Sequence, residues 1–125
     1  MKQVIDPDGA PEALGAFSHA TTNGDTLYTA GQLAQTADRV MHDAPIEAQT
    51  TQCLENLEAV LREAELGFED VLKTTVYMVD IQNWEAVNEA YAEFFEGAPP
   101  ARTAVGVTGL CGGGDVEIEM VASHT

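Results

Sequence analysis

Hydrophobic and polar positions along this chain switch back and forth between a period of two and a period near 3.6. Gln3-Val4-Ile5 is a short strand-like run closed by Asp6-Pro7-Asp8-Gly9. Residues 18–22 and 26–30 flank Asn23-Gly24-Asp25. Asn-Gly between two such runs predicts a hairpin, because both residues tolerate the positive φ of a tight turn. Gly31-Gln32 then marks a place where the backbone must bend or be approached closely. From residue 44 to residue 64 the spacing changes: Ile46, Thr50, Cys53, Leu54, Leu57, Val60, Leu61 and Ala64 form one stripe of a helix. Asp43 is its expected N-cap, Pro45 suits its first turn, and Gly67 is its expected stop.

Residues 71–79, β-branched and alternating, predict a strand. Residues 82–95 predict a second helix, with Trp84, Val87, Tyr91, Phe94 and Phe95 facing inward. Gly97 and Pro99-Pro100 end it. Two further strands, 101–107 and Val116–Ser123, surround the loop containing Gly112-Gly113-Gly114. The order βββαβαββ implies one α+β domain over residues 1–125. A mixed or antiparallel sheet would carry both helices on one face, giving two layers.

Charge narrows the functions. The chain has 21 Asp and Glu against five Lys and Arg, a formal net charge of −16. Lys2, Arg39, Arg62, Lys73 and Arg102 are scattered, so no basic patch exists to hold nucleic acid, and an anionic membrane surface is repelled. The N-terminus has no apolar run before a small-residue cleavage site, and no segment is long and apolar enough to span a bilayer. We expect a soluble cytoplasmic protein. Dispersed acids with few lysines suit a salt-rich cytoplasm, and a halophilic source is expected. Cys53 falls on the helical stripe and Cys111 in the Gly-rich loop, which predicts two separate thiols. His19, His42 and His124 match no ligand spacing, so no metal is expected. Residues 80–93 fail as a calcium loop, because Glu85 stands where a Gly is required.

Against this acidity Arg102, at the entry of a strand, stands out. A planar guanidinium suits the two-point grip of a carboxylate. By the period-two rule Glu117 and Glu119 share the polar side of the last strand, and we expect that strand beside the one bearing Arg102. An anion clamp and an acid/base group together outline a small-molecule site.

These pieces resemble the RidA/YjgF family of reactive-intermediate deaminases, also labelled endoribonuclease L-PSP, over essentially the whole chain. The resemblance rests on Ala10-Pro11, on residues 13–20, and on Tyr28-Thr29-Ala30-Gly31-Gln32-Leu33. It continues through Asn56-Leu57, residues 71–77, Val87-Asn88-Glu89-Ala90-Tyr91 and Phe94-Phe95, and closes on Pro100-Ala101-Arg102-Thr103 and Val116-Glu117-Ile118-Glu119. It implies a chorismate-mutase-like trimeric barrel with sites at the subunit interfaces. It implies hydrolysis of 2-imino acids such as 2-iminobutanoate and 2-iminopropanoate, or their enamines, to 2-keto acids and ammonia, with no cofactor. By resemblance Arg102 binds the substrate carboxylate and Glu117 orients or activates water. Gly31 and Ala104 supply backbone hydrogen bonds, and Phe17, Ala30 and Asn88 line the cleft. Phe17 stands where many members carry Tyr, Ala30 where Ser is common, and Ala104 where Cys is common, so two hydroxyls are missing.

Two rival readings come from the same residues. A ribonuclease would meet its substrate against a repulsive field. A non-catalytic trimer that binds keto or imino acids through Arg102, or acts as a holdase, needs no hydroxyl.

The net charge makes one prediction independent of the family. Charges repel across a whole domain at about 0.01 M salt, where the screening length is about 30 Å, and only between neighbours at about 1 M, where it is about 3 Å. Low salt should loosen the oligomer and lower the melting temperature, with recovery in molar salt. Light scattering and thermal melts across that range check it, and a constant mass and melting point would refute the halophilic reading.

Overall fold

Alternation near both ends of the chain and the 3.6-residue stripes between them resolve into one sheet and two helices in the computed structural model, which describes residues 1–8 and 10–125. The strands are β1 (Gln3–Ile5), β2 (Ala20–Thr22), β3 (Thr26–Thr29), β4 (Gln32–Leu33), β5 (Val71–Met78), β6 (Ala101–Gly106) and β7 (Val116–Ser123). The helices are α1 (Ile46–Glu63) and α2 (Trp84–Ala92). The predicted order holds, with the two-residue β4 added after the bend at Gly31.

The sheet runs β1-β2-β3-β7-β5-β6, and β4 also pairs with β7. All pairings are antiparallel except β5 with β6. Both helices cover one face. On that side Val116, Ile118, Met120 and Ala122 of β7 and Val76 and Met78 of β5 meet Cys53, Leu54, Leu57, Val60 and Leu61 of α1. Cys53 is buried in this core and Cys111 is exposed in its loop, both as free thiols. Among the described residues no helix is long and apolar enough to cross a membrane.

Buried polar side chains on α1 find partners, as the cost of desolvation requires. The Gln49 amide donates to the Ala44 carbonyl at 2.9 Å and to Asp115 at 2.8 Å, and accepts from the Asp115 backbone N–H at 3.0 Å. This ties the start of α1 to the entry of β7. Asn56 donates to the carbonyls of Leu33 and Gln35 at 3.2 and 2.8 Å. It thereby fastens the chain just beyond β4.

Several local expectations are corrected. Pro45, not Asp43, occupies the N-cap of α1, while Asp43 lies on the surface in an ion pair with Arg39 at 2.7 Å. In the hairpin only Gly24 takes a positive φ, of 99°. Asn23 contributes through its side chain, which accepts from the N–H groups of Asp25 and Thr26, both at 3.0 Å. The second helix is shorter than predicted: residues 81–83 form a 3-10 turn, and Phe94 and Phe95 lie beyond the last helical residue, packed edge-on against Phe68. Trp84, expected inside, is 41% exposed. Of the turn predicted at residues 6–9, Gly9 lies outside the described residues.

Helix α1 does not wait for Gly67. Glu65 takes the left-handed conformation at φ 61°, and the Leu66 and Glu65 N–H groups bond back to the Leu61 and Arg62 carbonyls. That is a Schellman stop built on a glutamate. A side chain with a Cβ pays for this conformation, and a carboxylate here also faces the negative end of the helix dipole. Glu65→Gly should therefore stabilise the domain by about 0.5–1 kcal/mol, after the entropy of the added glycine is subtracted. Urea melts check the sign, and destabilisation would mean that the Glu65 side chain makes a compensating contact.

Candidate active site

β6 is an edge strand in parallel register with β5, where Arg102 lies beside Thr74 and Ala104 beside Val76. Thr74 and Val76 face the helices, so Arg102 and Ala104 do as well. The half-buried Arg102 guanidinium lies 4.6 Å from the Tyr91 ring centroid and 5.7 Å from that of Trp84. A cation over an aromatic face is held by the ring quadrupole while its N–H edges stay available. Tyr91 is fixed from behind by a 2.7 Å hydrogen bond with Thr74, and burial raises its phenol above the usual range. Among the described residues the ion pairs are Arg39–Asp43 and Arg62–Glu58, so no carboxylate neutralises Arg102. Asn88 stands one helical turn before Tyr91 and lines the same groove as Arg102.

The second cluster is on the opposite face of the sheet. Glu117 pairs in register with Tyr77, and Glu119 with Thr75. The Tyr77 hydroxyl donates a hydrogen bond to Glu119, and that bond is the main reason its phenol is raised. Burial, and then the neighbouring Glu119 carboxylate, push the Glu117 carboxyl above the usual range. A carboxyl so placed is a stronger base than a solvated one. Gly31 lies directly against it, since a Cβ at residue 31 would come within 2.8 Å of the Glu117 carboxyl carbon. The close approach expected at Gly31 is therefore to Glu117.

The bend at Ala30-Gly31 is anchored on both sides by His19. Its carbonyl accepts from the Ala30 N–H at 2.8 Å, and its Nδ1 lies 2.8 Å from the Gln32 side-chain amide. The ring is buried, and among the described residues its Nε2 has no partner. The Thr29 hydroxyl accepts from the Met120 N–H at 2.9 Å across the interruption between β3 and β4. Phe17 is 50% exposed on the loop leading to β2.

The residues singled out from sequence thus fall into two groups. Arg102, Ala104 and Asn88 come together on the helix side, and Glu117, Gly31 and Ala30 gather on the other side. Arg102 and Glu117 are not on neighbouring strands as expected, because β5 lies between β6 and β7. The sequence reading missed the roles of Tyr91 and Tyr77. Both were legible in part: Tyr91 lies three residues from Asn88 on one helical face, and Tyr77 falls on the polar side of its strand by alternation. Among the described residues no group of three or more His, Cys, Asp or Glu side chains is arranged to hold a metal ion.

Residues 8–124 match the endoribonuclease L-PSP family. A RutC family protein of Pyrococcus horikoshii is 41% identical over 98% of this chain and 98% of its own. The rat protein named 2-iminobutanoate/2-iminopropanoate deaminase is 36% identical over 98% of this chain and 90% of its own. Among solved structures, a Rid family protein of Yersinia pestis superimposes with a TM-score of 0.92 at 39% identity, over 98% of this chain and 99% of that one. Fold, pairing order and sequence agree: the chain belongs to the RidA/YjgF (endoribonuclease L-PSP) family.

Proposed function

We propose that this protein hydrolyses 2-imino acids to 2-keto acids and ammonia, in clefts where Arg102 of one copy meets Glu117 of the next in a homotrimer. The observation that carries this is Arg102 itself, stacked on aromatic rings and left without a carboxylate partner. Relatives named imine deaminases support the reaction class. The placement of the two groups supports the cleft between copies. With β5 between them, Arg102 and Glu117 lie two strand spacings apart sideways, about 10 Å, are further offset along β5 because Arg102 sits beside Thr74 and Glu117 beside Tyr77, and lie on opposite faces of the sheet. A small imino acid carries its carboxylate one bond from the reacting carbon and does not span that gap within one chain. The sheet face bearing Tyr28, Thr75, Tyr77 and Val105 has no layer over it, and β6 has a free edge, so a second copy has a surface to cover.

The chemistry asks little beyond positioning. The guanidinium holds the carboxylate by two N–H bonds and fixes the imine carbon. Water held by Glu117 adds its oxygen to the carbon of the protonated imine as the C=N π pair moves to nitrogen, and Glu117 takes the water proton, leaving a neutral carbinolamine. Glu117 then gives that proton to the amino nitrogen, and the C–N bond breaks with its electron pair leaving on ammonia. The hydroxyl oxygen forms the carbonyl as its proton passes back to the Glu117 carboxylate and on to the released ammonia. Gly31 leaves room for the carboxylate to reach substrate, and Phe17 closes the cleft with an apolar ring where a hydroxyl is dispensable.

Arg102→Lys keeps charge but loses the planar fork, and should lower kcat/KM by about 2–4 kcal/mol, on the order of 30- to 1,000-fold. Glu117→Gln should cut turnover while leaving keto-acid binding, and Glu119→Gln should be mild. Equal losses from the two Glu variants would overturn the assignment of Glu117. Mixing inactive Arg102→Lys and Glu117→Gln chains should restore activity in about a quarter of the clefts of randomly reassembled oligomers. No recovery would show that both groups act from one chain.

Glu117 also couples the site to stability. A carboxyl raised in the folded state binds its proton more tightly there than in the unfolded chain. Its contribution therefore falls as pH rises from the ordinary value of 4.5 through the raised folded value. Glu117→Gln should melt higher than the parent near pH 7, and the difference should close below pH 4.5. A pH-independent difference in thermal melts would mean that the raised proton affinity is not what costs stability.

A further inference from the structure

The space beside Arg102 is not symmetric. On one side, toward Trp84, Val87 and Ala104, side chains leave essentially no free volume. On the other, a groove of about 370 Å³ opens between the end of α2 and residues 97–100. This volume lies in the range of about 300–1,000 Å³ that accommodates ligands much larger than the smallest imino acids. Its walls are Tyr91, Phe95, Pro99 and Pro100, and its polar groups are Asn88 and Arg102. No acidic or second basic side chain lines it. Two prolines and two rings give rigid, flat apolar surfaces that lose little entropy when covered.

We propose that this groove is the side-chain subsite of the enzyme, and that it selects 2-imino acids carrying bulky, uncharged apolar side chains over 2-iminopropanoate and 2-iminobutanoate. The inference rests on the reading that Arg102 takes the carboxylate of a 2-imino acid. Tyr91 already occupies one face of the guanidinium, so the carboxylate must meet its N–H edge. From that edge the filled Ala104 side has no room for a substituent, and the Phe95 side has room for a branched or aromatic one. Neutral apolar groups gain from leaving water there, whereas charged ones lose hydration without a partner. Asn88, at the mouth, is left to bond the imine or keto end.

The test uses the full-length protein and imino acids freshly generated by an amino-acid oxidase from alanine, 2-aminobutyrate, leucine and phenylalanine. Loss of each imine is followed against a semicarbazide trap. The leucine- and phenylalanine-derived imines should show kcat/KM about tenfold or more above the alanine-derived one. Ala92 is exposed on α2 and borders the groove, so Ala92→Trp fills the groove without disturbing the core. It should remove about tenfold from the bulky substrates and leave the alanine-derived imine within about twofold. Equal or better hydrolysis of the small imines, or an equal loss for all substrates in Ala92→Trp, overturns the subsite.

Calorimetry with phenylpyruvate and pyruvate tests the groove without turnover. Tighter phenylpyruvate binding, weakened by Ala92→Trp, supports the subsite even if no imine is hydrolysed, in which case only the deaminase reading falls. Equal affinity for the two keto acids overturns the subsite whether or not imines are turned over.

Discussion

Val116, Ile118, Met120 and Ala122, each at most 1% exposed, line the helix side of β7, which bonds β3 and β4 on one flank and β5 on the other. Burial of these four residues fixes the register of the strand, because a slip of one residue would turn glutamates into the core and apolar side chains out of it. The same register places Glu117 against Gly31 and Glu119 against the Tyr77 hydroxyl. The core and the carboxylate proposed to handle the water are thus set by a single alternation. What differs between the faces is desolvation: the helix side is dry, and the other face is dry enough to push the Glu117 carboxyl above its usual range.

The bend at Ala30-Gly31 depends on that register but is not produced by it. His19 holds it from the residue just before β2, Asn56 holds the chain just after it from α1, and Thr29 stands in for a missing ladder bond. These polar groups are buried and, apart from His19 Nε2, have partners. Such a network specifies one backbone path where propensity alone would allow several.

Periodicity exposed most of the fold in the sequence, since α1, β5 and β7 bury one clean face each. The boundaries that escaped were set by interactions with no local signature. A glutamate ends α1 because the Leu61 and Arg62 carbonyls are satisfied there, and Gly67 arrives too late to matter. β4 is too short to carry a pattern, and is defined only by its bonds to β7. The candidates for a site were legible in the sequence: Arg102 as a rare cation at a strand entry, Gly31 as a bend, Glu117 as one of two polar-face carboxylates, and Asn88 only through the family resemblance. Their arrangement was not. Strand adjacency comes from the parallel β5–β6 crossover, a long-range choice, and it divides the predicted site between two faces of the sheet.

Arg102 stacked on Tyr91, with sixteen excess negative charges on its own chain, has a consequence for how anions arrive. In most charged clefts the protein's field draws ligand in, and added salt slows capture. Here the far field opposes a carboxylate until it comes within reach of one guanidinium. Salt shields the repulsion over many ångströms but weakens the final, part-desolvated contact much less. If Arg102 takes a carboxylate as proposed, encounter is the step that salt accelerates, and capture then rises with ionic strength where in most charged clefts it falls.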